Sequence, residues 1–148
     1  MTRIANTASV EEYRAACARA SGGRHKAGEM NRGERAYASY LEELKRAGKL
    51  RLYQFEPPKL RLALRTFYTP DFRIVTASGK VEFHEVKGRK TKRRKDGSTY
   101  DTYYAREDAV LKVKLAADKY RDAAFFLTWP ARGGGWSYER VRSAEGKE

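Results

Sequence analysis

The sequence has 148 residues, which is enough for one domain with a substantial core and too few for two domains of ordinary size. Its 32 Lys and Arg outnumber its 19 Asp and Glu, which gives a formal net charge of +13 and favours a polyanionic partner. Charge alone does not distinguish DNA from RNA or from an acidic membrane surface. Cys17 is the only cysteine, which excludes an intrachain disulfide and favours a reducing cytosol, and no apolar run reaches membrane-spanning length.

The first predicted element is a short helix near the N-terminus. Ser9 and Glu12 have the spacing of a capping box, which predicts a helix that continues to about Ala20. We assign residues 1–24 to an N-terminal helical arm, residues 25–142 to the core domain and residues 143–148 to a disordered tail. A lid, an arm and a dimer contact are all open as roles for residues 1–24.

A second helix is predicted from about Arg32 to Ala47, because apolar residues recur there at helical spacing. Gly48 is a suitable residue to end this helix. Glu34 borders the predicted buried face. Its carboxylate could join a functional site, or it could simply interact favourably with the helix dipole.

Aromatic and β-branched residues predict four strands, at Leu50–Phe55, Lys59–Leu64, Phe67–Val75 and Val81–Val86. We expect the second of these strands to pair with the third, which carries Asp71. The third and fourth strands are expected to form a hairpin. The sequence Ala77-Ser78-Gly79 suits a three-residue loop that ends with a positive φ at the glycine.

The register of this hairpin brings two acids together. Closing the loop at Thr76 and Lys80 places Asp71 opposite Glu85, with Lys87 on the same face as Glu85. Two carboxylates can hold Mg²⁺ together with phosphate oxygens, while a neighbouring lysine orients water or stabilises the phosphorus centre. A surface ladder of salt bridges is the simpler interpretation. However, directly opposed acids repel each other, so we favour a site for phosphodiester hydrolysis.

A strongly basic segment follows the hairpin and contains Arg89, Lys90, Lys92, Arg93, Arg94 and Lys95. Asp96-Gly97-Ser98 predicts a turn, and three tyrosines follow it, at positions 100, 103 and 104. The position of the segment beside the acids favours a mobile loop that grips a nucleic-acid backbone over an ordinary solvated charge run. The tyrosines could stack on unpaired bases or anchor the loop to the core, and we favour anchoring.

One helix and two strands complete the predicted order. The helix is expected at Ala105–Tyr120, where Leu111 and Leu115 lie opposite the main apolar stripe, which predicts that both faces are covered. Ala123–Trp129 is continuously apolar and is predicted to be a buried strand, and Trp136–Val141 is predicted to be an edge strand.

The residues Pro70-Asp71 and Glu85-Val86-Lys87 resemble the motif of the PD-(D/E)XK nuclease superfamily. The longer pattern, Tyr68 to Phe72 and then Glu85 to Gly88, is similar to small phage and prophage nucleases related to Holliday-junction resolvases. The resemblance covers roughly residues 30–141. It implies a restriction-endonuclease-like α/β (α+β) core in which a helix, three strands, a helix and a strand build a mixed central sheet.

The resemblance also implies an activity and a set of site residues. The expected activity is that of a DNA endonuclease that depends on Mg²⁺ or Mn²⁺. Asp71, Glu85, Glu34 and the backbone carbonyl of Val86 would hold the metal, and Lys87 would position water or phosphate. Lys112 and Lys114, on the third predicted helix, would join the basic segment in contacting DNA.

Partners and location follow from the same resemblance. Duplex or branched DNA, including recombination intermediates, is the expected substrate, in the cytoplasm of a bacterium or of a phage-infected host. Many relatives act as dimers, so a homodimer is one expectation, and no membrane partner is expected. Two alternatives stay open: a nuclease-fold DNA-binding module without catalysis, and an RNA-binding or RNA-cleaving protein that charge and tyrosines alone would favour.

Overall fold

The computed structural model describes residues 28–142. The predicted helix at residues 9–20, the rest of the predicted arm and the predicted tail at residues 143–148 lie outside them. The helices and strands belong to a unit that begins at Arg32. They are α1 (Arg32–Arg46), β1 (Leu50–Phe55), β2 (Leu60–Ala63), β3 (Thr66–Tyr68), β4 (Phe72–Thr76), β5 (Val81–Val86), β6 (Arg89–Arg93), β7 (Thr99–Tyr103), α2 (Glu107–Lys119), β8 (Ala124–Pro130) and β9 (Trp136–Val141).

A five-stranded sheet lies at the centre of this unit, with the strand order β1-β4-β5-β8-β9. Neighbouring strands are antiparallel except β5 and β8, which are parallel and are connected through α2. The predicted mixed α and β class and mixed sheet are confirmed, and β9 is an edge strand as expected. Two two-stranded hairpins, β2–β3 and β6–β7, are inserted between the strands of this sheet.

The hairpin β4–β5 has the predicted register. Phe72 pairs with His84 and Val75 with Val81, so Asp71 and Glu85 occupy the next opposed positions. The loop closes as expected, with the Thr76 N–H donating to the Lys80 carbonyl at 2.9 Å. Gly79 has a φ of 87°, which a residue with a side chain adopts only with strain.

Two strand predictions are wrong in detail. The predicted strand Phe67–Val75 is divided into β3 and β4, because Pro70 lacks the N–H that a continuous ladder needs. The strand at Lys59–Leu64 pairs with only the first part of that predicted strand: β2 pairs with β3, whereas β4, which follows Asp71, pairs with β1.

The two helices contact opposite faces of the sheet. Alternate residues of a strand point to opposite sides, so the position of a residue in its strand shows which face it occupies. On one face, Tyr37 of α1 packs edge-on against Phe72, with ring centroids 5.5 Å apart. On the other face, α2 contributes to a buried apolar cluster of Tyr68, Phe83, Val113, Ala116, Ala117, Phe125 and Leu127. Phe83 and Glu85 have the same parity in β5, so the predicted acid lies on the α2 side.

Only one side of α2 is covered within the described part of the chain. Leu111 is 56% exposed and Leu115 is 44% exposed, so the prediction that both faces are covered is wrong. Lys112 is half-buried at the border of the covered side, whereas Lys114 is exposed. Neither described helix is long and apolar enough to cross a membrane.

The basic segment is not the irregular loop that its composition predicts. Residues 89–93 form β6, which pairs along its length with β7, from Arg89 with Tyr103 to Arg93 with Thr99. The predicted turn at Asp96-Gly97-Ser98 is confirmed, with Gly97 at a φ of 87°. The basic residues of β6 therefore lie on a hairpin, and their side chains alternate between its two faces.

Candidate active site

The site forms where β4 begins and β5 ends. Asp71 directly precedes β4, and its backbone carbonyl accepts a 2.8 Å hydrogen bond from the Glu56 N–H. Its Oδ2 accepts a 2.8 Å hydrogen bond from the Val86 N–H. The aspartate carboxylate is thus fixed at the strand end that carries Glu85, as the hairpin register predicts.

Two neighbouring side chains hold the Glu85 carboxylate. The Tyr68 hydroxyl donates a 2.6 Å hydrogen bond to Oε2 of Glu85. The Lys87 ammonium lies 3.7 Å from Oε1, with side chains that are 15% exposed for the lysine and 13% for the glutamate. Lys87 and Glu85 therefore share a face, as predicted, in a largely dehydrated setting.

Tyr68 is a site residue that the sequence argument did not assign. It is buried in the α2-side cluster, and its hydroxyl is the part that reaches the acids. Burial, together with the negative charge of Glu85, raises the pKa of Tyr68 well above its usual value, so it stays a donor. The available signal was its place in the Tyr68-Thr69-Pro70-Asp71-Phe72 motif, three residues before the aspartate.

The two acids disfavour each other's ionised form. Burial raises the pKa of Asp71 well above its ordinary range, and the Glu85 charge raises it further, while the Val86 N–H opposes the shift. Burial also raises the pKa of Glu85, against the lowering effects of Lys87 and the Tyr68 hydroxyl. A pair of this kind is stabilised by a bound cation or by a shared proton.

Glu34 approaches the pair from the other helix. It is only 4% exposed in the first turn of α1, and its charge is near enough to raise the pKa of Asp71. Within residues 28–142, however, no three His, Cys, Asp or Glu side chains form a group that could hold a metal. Asp71 and Glu85 therefore make the core of any metal site, and a role for Glu34 or for the Val86 carbonyl stays a prediction.

The candidate nucleic-acid contacts fall on two elements. Arg89, Lys90, Lys92 and Arg93 belong to β6, and Arg94 and Lys95 continue into the turn. This hairpin begins only two residues after Lys87, so it projects from the strand end that carries the acids. Lys112 and Lys114 lie separately on α2.

No protein-family model, curated protein or solved structure matches the chain. Its chemistry must therefore be inferred from its own side chains.

A second polar cluster lies on the α1 face of the sheet. The Tyr37 hydroxyl hydrogen-bonds to Nδ1 of His84 and lies 3.1 Å from the Tyr138 hydroxyl. Nε2 of His84 is 3.3 Å from the Glu82 carboxylate. The cluster borders a mainly leucine- and aromatic-lined cavity of about 270 Å³. This cluster was not predicted, because a lone histidine and a glutamate in a strand carry no recognisable spacing.

Proposed function

We propose that the protein is a metal-dependent DNA endonuclease with a PD-(D/E)XK-like core. One observation carries the proposal: Asp71 and Glu85, two partly buried acids with raised pKa values, converge with Lys87 at the end of β5. Each carboxylate has a hydrogen-bond donor, but the Lys87 ammonium offsets only one of the two negative charges, so ionisation of both acids is unfavourable unless a cation completes the site.

The arrangement of the sheet supports the proposal. α1, β1, β4, β5, α2 and β8 follow the order that the superfamily resemblance implies, and β8 is parallel to β5. Asp71 lies at the start of the second of these sheet strands, and Glu85 and Lys87 lie at the end of the third. The finer assignment to a restriction-endonuclease-like fold rests on this order together with the motif.

The chemistry divides between the bound cation and the protein. Mg²⁺ or Mn²⁺, when bound, supplies charge neutralisation for the phosphate and a water of lowered pKa. Asp71 and Glu85 provide the carboxylate oxygens that such a hard cation prefers, and Tyr68 fixes the orientation of Glu85. Lys87 places its positive charge beside the scissile phosphate, where negative charge increases in the transition state.

DNA is the proposed substrate, because a net charge of +13 and a basic hairpin beside the acids favour a phosphate backbone. Branched or recombination DNA and a homodimeric assembly are proposed only by resemblance to junction resolvases. Lys112 and Lys114 are proposed as further backbone contacts on the helix that packs over the same face.

The decisive experiment is metal-dependent nicking of supercoiled plasmid, with duplex, four-way-junction and RNA substrates in parallel. Asp71→Asn and Glu85→Gln should each abolish cleavage but leave DNA affinity unchanged or slightly tighter, since a charge that repels phosphate is removed. Asp122→Asn, at an exposed acid outside the site, is the matched control and should cleave as the wild type does. Near-normal activity in either site variant would contradict the proposal.

Metal binding gives a readout that does not depend on turnover. Mg²⁺ or Mn²⁺ should raise the Tm of the wild type near neutral pH, because a ligand that binds only the folded state stabilises it. The rise should be lost in Asp71→Asn and in Glu85→Gln but kept in Asp122→Asn. Glu34→Gln tests whether Glu34 contributes to metal binding. If it does, the rise in Tm that the metal produces should be smaller in this variant.

One alternative has a specific observation in its favour. The described residues contain no group of three metal ligands, which is compatible with a DNA-binding module that lacks catalysis. Such a module would bind DNA with an affinity that Mg²⁺ does not change. It would nick no substrate at any metal concentration.

A further inference from the structure

The β6–β7 hairpin has two chemically different faces. Thr91, Asp101 and Tyr103 lie on the face that we term the anchored face. Lys90, Lys92, Arg94, Tyr100 and Tyr104 lie on the other, which we term the open face. Alternation along paired strands produces this separation, because neighbouring residues point to opposite sides.

The anchored face is held against the rest of the unit. Nε and Nη2 of Arg132 donate to the Asp101 carboxylate, at 3.2 Å and 3.0 Å, and the Thr91 hydroxyl donates to the same carboxylate at 2.9 Å. The Tyr103 ring packs on Trp129 with centroids 4.9 Å apart. Tyr103 is therefore an anchoring residue, in agreement with the expectation from the sequence, and these contacts join the hairpin to β8 and to the loop after it.

The other two tyrosines do not anchor the hairpin. Tyr100 is 38% exposed and Tyr104 is 61% exposed, and each contacts a cation rather than the apolar cluster. The Arg94 guanidinium lies 4.4 Å from the Tyr100 ring centre, and the Lys90 ammonium lies 5.3 Å from that of Tyr104. The expectation that all three tyrosines anchor the segment is therefore wrong for this pair.

From this geometry we infer that the open face binds a single-stranded segment of DNA, with unpaired bases stacked on Tyr100 and Tyr104 and phosphates contacted by Lys90, Lys92 and Arg94. An aromatic ring offers stacking to any base, whereas a base inside a duplex is covered by its neighbours. Stacking of a base on an aromatic ring is stronger than an exposed cation–aromatic contact, so a base can displace the cation from the ring. The displaced cation is then able to pair with a phosphate.

The inference deepens the proposed function and rests on it for the choice of nucleic acid. The open face begins next to the acids, because β6 starts two residues after Lys87. A strand bound there would pass from single-stranded DNA towards the scissile phosphate. The substrate class that follows is DNA with a single-stranded segment adjoining a duplex, such as a flap, a fork or an opened junction.

The test measures affinity by fluorescence anisotropy in metal-free buffer, so that cleavage does not interfere. The probes are a labelled single-stranded oligonucleotide, its duplex and a forked duplex. Tyr100→Ala combined with Tyr104→Ala should weaken binding of the single-stranded and forked probes by about ten-fold or more, and binding of the duplex by less than about two-fold. Tyr100→Phe with Tyr104→Phe should retain wild-type affinity, because the rings remain.

An exposed lysine away from the hairpin supplies a matched control for the face. Lys92 lies on the open face, whereas Lys49 lies near the opposite end of β4, and both are exposed. Lys92→Gln should reduce the salt dependence of single-strand binding by about 0.7 units, the value for one phosphate contact, while Lys49→Gln should leave it unchanged. The paired tyrosine-to-alanine variant should keep the wild-type slope, since stacking releases no counterions.

The inference is overturned if the paired alanine variant binds single strands like the wild type, or if it loses duplex and single-strand affinity equally. Cleavage is scored separately on plasmid with Mg²⁺. A wild type that never cleaves contradicts the nuclease proposal, while selective loss of single-strand affinity in the same protein still supports the open face. Normal cleavage with unchanged single-strand affinity contradicts the open face alone.

Discussion

At the scale of single residues, Asp71 and Glu85 lower the stability of the folded protein near neutral pH. Asp71 and Glu85 both have raised pKa values, with burial as the main cause. A carboxyl whose pKa is higher in the folded state holds its proton there at pH values where the unfolded chain has lost it. Stability therefore falls as pH rises from the ordinary carboxyl pKa of about 4 through the raised folded values.

The first prediction follows from this sign. Asp71→Asn removes the ionising group but keeps an oxygen that can accept from the Val86 N–H, so the variant should be more stable than the wild type in metal-free buffer near neutral pH. The gain should be roughly 4 °C in Tm or more, the shift for about 1 kcal/mol, and should shrink towards about pH 4. Thermal unfolding across this pH range measures it.

Asp96→Asn is the control of opposite sign for this experiment. Hydrogen bonds from Ser98 lower the pKa of Asp96, which is an exposed acid in the β6–β7 turn. Asp96→Asn therefore cannot produce a gain in Tm that increases with pH. A flat difference between Asp71→Asn and the wild type at every pH would contradict the raised pKa of Asp71.

The second prediction concerns Tyr68 as a positioning residue. Its hydroxyl lowers the pKa of Glu85, so Tyr68→Phe should raise that pKa further and move the acidic limb of the cleavage rate to higher pH. Single-turnover rates against pH measure the shift. A purely structural role would reduce the rate by the same factor at every pH, and that result would exclude positioning through Glu85.

The third prediction separates Lys87 from the residues that only bind. Lys87→Ala should lower the saturating single-turnover rate by about 10²–10³-fold with little change in DNA affinity, because in the proposed mechanism its charge acts on one phosphate in the transition state. Lys114→Ala, at an exposed lysine on α2, is the control and should affect affinity rather than rate. A loss in Lys87→Ala that is confined to affinity would contradict its catalytic role.

At the scale of elements, the chain shows which features local sequence determines. The β4–β5 register was predictable because Gly79 supplies a positive φ at a fixed place in a short loop. The pairing of β2 was predictable only in part, because alternating leucines indicate a half-buried strand without indicating where its pairing with a neighbour stops. The opposed positions of Asp71 and Glu85 depend on the β4–β5 register, so they were predicted correctly.

The order of the β6–β7 hairpin could not be predicted from its local sequence. Its sequence is so basic that local composition predicts a solvated loop. Its order comes from cross-strand pairs and from Arg132, which lies far along the chain and reaches back to Asp101. Such a long-range ion pair has no signature in the sequence around the hairpin.

A fourth prediction tests how α1 is fixed to the sheet. Tyr37→Phe should destabilise the protein by about 1–3 kcal/mol, because it leaves a ring nitrogen of buried His84 without its partner. Tyr138→Phe removes the other contact of the Tyr37 hydroxyl but leaves His84 paired, so it should cost less. Urea unfolding of both variants measures the difference, and equal losses would show that His84 does not depend on Tyr37.

At the scale of the whole molecule, the position of the positive charge should matter more than its total. The basic hairpin lies at the strand end that carries the acids, whereas Lys45, Arg46, Lys49 and Arg51 lie near the opposite end of β4, where Leu50 pairs with Thr76. Both groups contain exposed basic residues. Replacing four charges in either group changes the net charge equally.

The fifth prediction compares these two groups. Replacing Lys92, Arg93, Arg94 and Lys95 with serine should make the salt slope of duplex binding shallower by up to about three to four units, at about 0.9 per contact. The same replacement at Lys45, Arg46, Lys49 and Arg51 should change it by less than about one unit. Affinity against salt for both variants is the measurement, and equal changes would indicate binding to overall charge alone.

The parallel pairing of β5 with β8 also constrains when the site can form during synthesis. β5 ends at Val86, but the strand that covers its free edge begins only at Ala124, and the Lys87 N–H donates to Thr128 at 2.8 Å. Until those later residues leave the ribosome, β5 presents an unpaired edge, and no local contact can replace its partner. A nascent chain of this protein therefore carries its acids and lysine well before it can hold them in place. Any cleavage activity should consequently appear only after β8 has left the ribosome.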